Sequence, residues 1–169
     1  MFDSIITTSQ AKNAVDENNG TFVLLRLKDD FENILNGSKT MEILKSSCWN
    51  LKAPFFVLCC NDEDDKIIGS FICNKIDDLY CPVELPNISS LEQLPYHTKQ
   101  WLVQSGLTYY QLCAMAKRSQ KLYGWMISSP VELDLPLMAI GEEYPPQAWK
   151  YLSTTGIQAQ LALAGASAL

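Results

Sequence analysis

The sequence predicts an α+β fold, a small mixed β-barrel with peripheral helices. Three observations carry this. Strand-type segments dominate and lie at both ends of a helical insertion. Regular strand–helix–strand alternation is missing, which argues against a doubly wound sheet. The length, 169 residues, fits about one domain, large enough to bury roughly 70% of its unfolded surface without a disulfide or metal staple.

The elements follow in order. Residues 1–20 form a polar N-terminal arm, loosely packed, with a short helix near Ser9 to Val15 and a loop at Asp16 to Gly20. Thr21 to Lys28 is β-branched and apolar, of strand length. Asp29 is then placed to cap a short helix, with Glu32 at capping-box spacing and Phe31, Ile34 and Leu35 on one apolar face. Gly37 suits the residue after that helix, where φ turns positive. Lys39 to Lys45 alternates: Thr40, Glu42 and Leu44 share one face, Met41, Ile43 and Lys45 the other.

Phe55 to Cys60 and Ile67 to Ile76 read as two strands of a hairpin with an acidic loop, Asn61 to Asp65, and Gly69 marks a bulge or a close approach. Asp77 to Pro95, with three prolines, reads as a long connection. A helix over Thr98 to Gln104 ends near Gly106, and Thr108 with Gln111 makes a capping box for the next. Lys121 to Ser128 is a strand, Pro130 to Ala139 is extended with Pro136 confining it to an edge, and Tyr144 to Trp149 is a turn before a last strand at Tyr151-Leu152. The domain proper therefore spans 21–152. The tail, 153–169, is rich in alanine.

Composition excludes several classes. Hydrophobic residues make up 47% and charged residues 19%, so the chain is neither disordered nor fibrous. No apolar run is long enough to span a bilayer and the N-terminus lacks a secretory pattern, so a cytoplasmic protein without membrane partners is expected. Net charge is −6, concentrated in residues 61–100, where eight acids face three bases. A polycation that coats nucleic acid is excluded, whereas a small basic site on an acidic body is not. The six cysteines lack C-x-x-C spacing and His97 is the sole histidine, so buried free thiols are expected and neither a metal nor a cofactor is. His97 itself reads as a loop or helix-start residue. Walker, dinucleotide, nucleophile-elbow and zinc-protease motifs are absent.

Three segments, in order, resemble the ASCH domain family of the PUA-like superfold. The first is LLRLKDDFENILNG, Leu24 to Gly37. The second, Gly37-Ser38-Lys39-Thr40-Met41-Glu42-Ile43-Leu44, is similar to the family signature G-x-K-x-x-E-x-R. The third, Pro145-Pro146-Gln147-Ala148-Trp149, is similar to the closing P-P-Q-S-W, and Ser105-Gly106-Leu107-Thr108 matches the usual middle. The resemblance covers about 21–152. One departure stands out: the arginine position of the signature is Leu44, which offers no polar contact.

The resemblance implies a PUA-like module that binds RNA or a modified nucleotide or nucleoside. Its ligand-binding residues would be Lys39, Thr40, Glu42 and Trp149, with Arg26, Lys28, Lys45 and Trp49 as rim candidates. Lys39 would contact a phosphate or carbonyl, and Glu42 would accept from an exocyclic amine. Trp49 and Trp149 are aromatic enough to stack on a base, although core burial suits both. On a regular strand Lys39 and Glu42 point to opposite faces, so they converge only if Lys39 belongs to the turn or a bulge intervenes.

Some relatives in the family resemble amidohydrolases acting on N4-acylated cytidine. In that alternative Lys39 and Glu42 would be catalytic, but a carboxylate stands where the nucleophilic threonine belongs, so an enzyme is the weaker expectation. A further alternative is an acidic interaction or inhibitor protein that meets a protein partner through 61–95. Lys117, Arg118 and Lys121 form the densest basic cluster, with Tyr123 following.

Overall fold

A computed structural model describes residues 8–27, 31–80, 90–116, 121–138 (backbone alone at 135–138) and 148–155. The elements are α1 (Ser9–Glu17), β1 (Thr21–Leu27), α2 (Glu32–Leu35), β2 (Met41–Leu44), β3 (Phe55–Asn61), β4 (Lys66–Tyr80), a 3-10 turn (Leu91–Gln93), α3 (Tyr96–Ser105), α4 (Tyr109–Ala116), β5 (Lys121–Met138) and β6 (Trp149–Ser153). The six strands form one sheet in the order β2-β5-β4-β3-β1-β6. β1 and β3 run parallel, and the other neighbours are antiparallel.

The expected barrel is corrected in one respect: the sheet curls but does not close. In a flat sheet β5 and β6 would stand about 19 Å apart, four strand spacings. Instead Trp125 of β5 meets Trp149 of β6 with ring centroids 5.5 Å apart. The sheet has rolled until its ends face each other across a shared core. No ladder joins β2 to β6 among the described residues. The chain just after β2 bridges the gap with side chains. The Trp149 indole Nε1 donates to Ser46 Oγ at 2.9 Å, and the Asn50 amide donates to the Tyr151 hydroxyl at 3.2 Å.

The pleat then sorts the side chains. Val23, Leu25 and Leu27, with Phe55, Val57, Cys59, Phe71, Cys73, Leu44, Trp125 and Trp149, fill the inner face. Phe22, Leu24, Phe56 and Leu58 point outward beneath α1, which buries Ala11, Ala14 and Val15. The N-terminal arm, expected to be loose, is thus packed from Ser9 onward, because the alanines and the valine make one apolar stripe. Met41 and Ile43 also point outward, against Leu112 and Ala116 of α4.

Gly69 positions α2. A Cβ there would lie 2.3 Å from the Phe31 ring and 2.6 Å from the Val131 carbonyl oxygen. The bare backbone lets Phe31 lie against the sheet, and the ladder shifts register on both sides of this residue. The close approach and the irregularity read from the sequence are both present. Phe31 anchors the start of α2, and Gly37, with φ of 79°, turns the chain out of it toward β2. Lys28 and Asp29, the residue expected to cap this helix, lie outside the described residues; the N-cap position of α2 falls on Phe31, with no side-chain hydrogen bond.

Two further expectations need correction. Asp77 to Tyr80 continue β4 rather than opening a connection. Their acids alternate along the strand, with Asp78 held by Lys121 at 3.0 Å. The segment from Lys121 to Met138 is one long strand, not a strand and a separate extension. The half carrying Pro136 pairs with β4 alone, so the missing proline amide interrupts no second ladder. The helical middle matches expectation. α3, which begins at Tyr96-His97, ends on Gly106 in the left-handed region. Thr108 and Gln111 cap each other reciprocally, at 2.8 and 3.2 Å.

Candidate functional site

Lys39 leaves α2 before β2 begins, with its amide bonded to the Asn33 carbonyl at 2.8 Å. It therefore belongs to the turn and escapes the strand's alternation. Its side chain swings to the same side as Glu42, and Nζ lies 2.7 Å from Glu42 Oε2. The geometric condition set by the sequence is met. Thr40 links the two: its amide donates to the Gln104 carbonyl of α3, and its carbonyl accepts from Ile127 of β5.

Burial distinguishes this pair from the other ion pairs. The Lys39 side chain is 5% exposed and that of Glu42 17%. Two charges removed from water cost several kcal/mol each unless each has close partners. Glu42 stands opposite Trp125 and shares the inner face with Leu44. Cys59 of β3 lies close beneath. Burial pushes its thiol far up, the Glu42 charge adds to that, and the Lys39 charge opposes it. The thiol therefore stays protonated and is no nucleophile at neutral pH.

The other candidates divide by face. Trp149 is 9% exposed and packs between Trp125 and Tyr151, its indole hydrogen bonded to Ser46. It forms part of the wall behind the pair, and both faces of its ring are not open to a base. Trp49 is the reverse case. It is 74% exposed and meets Tyr123 edge-on, with centroids 6.0 Å apart, so the core burial that suited it is not what the structure shows. Lys45 is exposed at the end of β2.

Arg26 is on the wrong side for a rim. It follows Leu24 on the outer face and reaches Asp62 at 3.1 Å and Asp65 at 2.7 Å. The same contacts engage the acidic hairpin tip, whose Asp64 also holds Lys66 at 2.9 Å. Much of the acidity proposed to meet a protein partner is thus neutralised within the chain. Residues 81–89 of that segment, and the basic residues Lys117 and Arg118, lie outside the described residues. No group of metal-ligating side chains assembles among the described residues. None of their helices is long and apolar enough to cross a membrane. A hollow of about 620 Å3 beside α2 is lined by Phe31, Leu35 and Ile68 with Glu32, Asn36 and Glu132. It excludes the Lys39–Glu42 pair, and its two carboxylates suit no phosphate.

Sequence reasoning did not single out Cys59 or Tyr80. Cys59 reads as an ordinary buried strand residue and Tyr80 as part of a connection, and only the extent and curl of the sheet bring them to the inner face.

Neither a protein-family model nor a curated protein matches the chain. Solved structures do. The ASCH protein of Zymomonas mobilis superposes with a TM-score of 0.62 at 13% identity, covering 83% of this chain and 94% of that one. Two single-residue variants of the same protein align equally, with TM-scores of 0.62 and 0.61. The N-terminal domain of Staphylothermus marinus McrB follows with a TM-score of 0.50 at 9% identity. The fold is ASCH-like, as the three sequence segments imply.

Proposed function

We propose that this chain is a nucleic-acid-binding module that reads a base of RNA, or a modified nucleoside, at the Lys39–Glu42 pair. The observation that supports this most is the placement of that pair. It lies in the segment whose sequence resembles the ASCH signature, on the inner face of the curled sheet, with Lys39 buried and Glu42 still reaching the surface. Structure alone gives little reason to keep such a pair, since apolar residues of similar size often serve stability as well or better. A carboxylate fixed in direction is suited to an exocyclic amine, as carboxylates accept from the amino group of cytosine.

In this reading Lys39 fixes one oxygen of Glu42 and supplies positive charge toward a base carbonyl or phosphate. Thr40 sets the backbone between them, and Trp149 with Trp125 forms the apolar wall. Leu44, in place of the signature arginine, removes one phosphate or base contact. With net charge −6, affinity then rests on base contacts more than on phosphates, and its salt dependence is shallow.

The test is a calorimetric titration with a panel of nucleosides, modified cytidines included, against wild type and Glu42→Gln. One good base contact is worth about 1–3 kcal/mol, so the variant should bind its best ligand roughly 5- to 150-fold more weakly. Equal affinity in a folded Glu42→Gln protein, or no nucleoside bound by wild type, would overturn the assignment.

A further inference from the structure

We infer that a second site adjoins the first: an aromatic platform of Trp49, Tyr123 and Tyr80, held by Lys121, on which unpaired bases of single-stranded RNA stack. For the class of occupant this rests on the nucleic-acid reading above. The platform itself rests on separate observations.

Exposure comes first. Trp49 is 74% and Tyr80 64% exposed, whereas Tyr123 between them is half-buried and Trp125 and Trp149 are buried. The register explains why they gather. Leu44 pairs with Tyr123, and two residues back Glu42 pairs with Trp125. On the other side of β5, Tyr123 pairs with Asp78 and Lys121 with Tyr80. Along the inner face the order is Trp125, Tyr123, Lys121, so the platform starts about 7 Å, two strand residues, beyond Glu42. Trp49 stands edge-on to Tyr123 at 6.0 Å. The Lys121 ammonium sits 5.2 Å from the Tyr123 centroid and 5.4 Å from that of Tyr80, and Asp78 fixes it at 3.0 Å.

Rigidity comes second. An exposed tryptophan on a mobile loop would give up entropy on stacking. Here its segment is pinned on both sides. Ser46 accepts from the Trp149 indole, the Asn50 amide donates to Tyr151, and the Lys52 amide donates to Asn18 Oδ1 at 2.8 Å. The indole is presented to solvent by a backbone that is already ordered.

Charge selects the occupant. The chain carries −6, yet no acid occurs between Glu42 and Asp62, and this stretch holds Lys45 and Lys52 on either side of Trp49. Both lysines are exposed. Aromatic faces interleaved with cations suit a strand of bases joined by phosphates. An apolar protein surface would leave those ammonium groups to be desolvated without partners.

The test uses a fluorescently labelled ten-nucleotide unstructured RNA, titrated into wild type, Trp49→Ala and Trp49→Tyr, with tryptophan emission recorded alongside. Stacking of one base is worth about 1–3 kcal/mol, so Trp49→Ala should weaken RNA binding roughly 5- to 150-fold, while Trp49→Tyr keeps most of it. The exposed indole should be quenched on binding, and this quench should be missing from both variants. Glu42→Gln, which leaves the platform intact, should keep the indole quench on RNA binding. RNA affinity equal in wild type and Trp49→Ala, an unquenched Trp49 in the bound protein, or no RNA binding by wild type overturns the platform. Failure of nucleosides to bind, with the RNA results as expected, removes the base-reading assignment and leaves the platform standing.

Discussion

Two clusters of opposite charges lie on opposite faces of the same curled sheet, and they behave differently. On the outer face Arg26 spans Asp62 and Asp65 at the tip of the β3–β4 hairpin, and all three side chains keep a quarter or more of their surface in water. On the inner face Lys39 and Glu42 make an equally short contact almost out of solvent. The outer cluster gains little from its geometry, since water screens it and long side chains lose freedom. The inner pair is expensive to bury and is bordered by carbon and a protonated thiol. Proximity alone therefore says little about what an ion pair is for. The solvent around it decides whether it acts as a surface clasp or as a preorganised, directional acceptor.

The largest effect that would sharpen this contrast is loss of the inner lysine. Lys39→Ala should destabilise the fold by about 3–5 kcal/mol, because Glu42 is left largely buried without its cation. Urea unfolding measures this. A Lys39→Met, Glu42→Leu double variant should recover most of the loss, since no charge remains inside. If Lys39→Ala cost no more than an exposed pair does, the inner pair would be as solvated as the outer one.

The inner face also sets an alkaline limit. Burial raises the thiol of Cys73 to about 12, and that of Cys59 well above its ordinary value. Between about pH 9 and 12 the unfolded chain ionises these thiols while the folded chain keeps them protonated. The unfolded state then binds fewer protons, and stability falls as pH rises, by up to about 1.4 kcal/mol per pH unit for each thiol. Below pH 8 these groups contribute no slope. Thermal unfolding from pH 7 to 11 should show the decline, and Cys73→Ala should flatten part of it. The smallest effect belongs to the outer face. Arg26→Ala should cost less than about 1 kcal/mol and lose even that at high salt.

The sequence made the local elements legible, because each is set by a few neighbouring residues. The alternation of Thr40, Glu42 and Leu44, the turn at Gly37, the Thr108–Gln111 cap and the close approach at Gly69 all depend on nearest neighbours and steric room. The roll of the sheet depends on contacts far apart in the chain, such as Trp125 with Trp149 and Ser46 with Trp149. No period reports those. The same blindness explains the tryptophans. Trp49 and Trp149 are alike in composition terms, but one lies inside the roll and the other on the bridge across its open edge. Arg26 reads as a rim residue because strand alternation tells only which residues share a face, not which face becomes the inside. Asp77 and Asp78 masked the end of β4, since acids in a strand look like a break until the lysine that answers one of them is seen across the ladder.

One measurement weighs the two faces directly: anisotropy of the labelled RNA with wild type, Glu42→Gln and Arg26→Gln, at about 50 and 200 mM salt, the range over which phosphate contacts show themselves. If the inner pair reads a base, Glu42→Gln loses at least about fivefold in affinity at both salts, as one base contact requires, and Arg26→Gln matches wild type. If both variants bind as wild type does, or Arg26→Gln is the one that fails, the inner pair is a structural feature and the base-reading account is wrong.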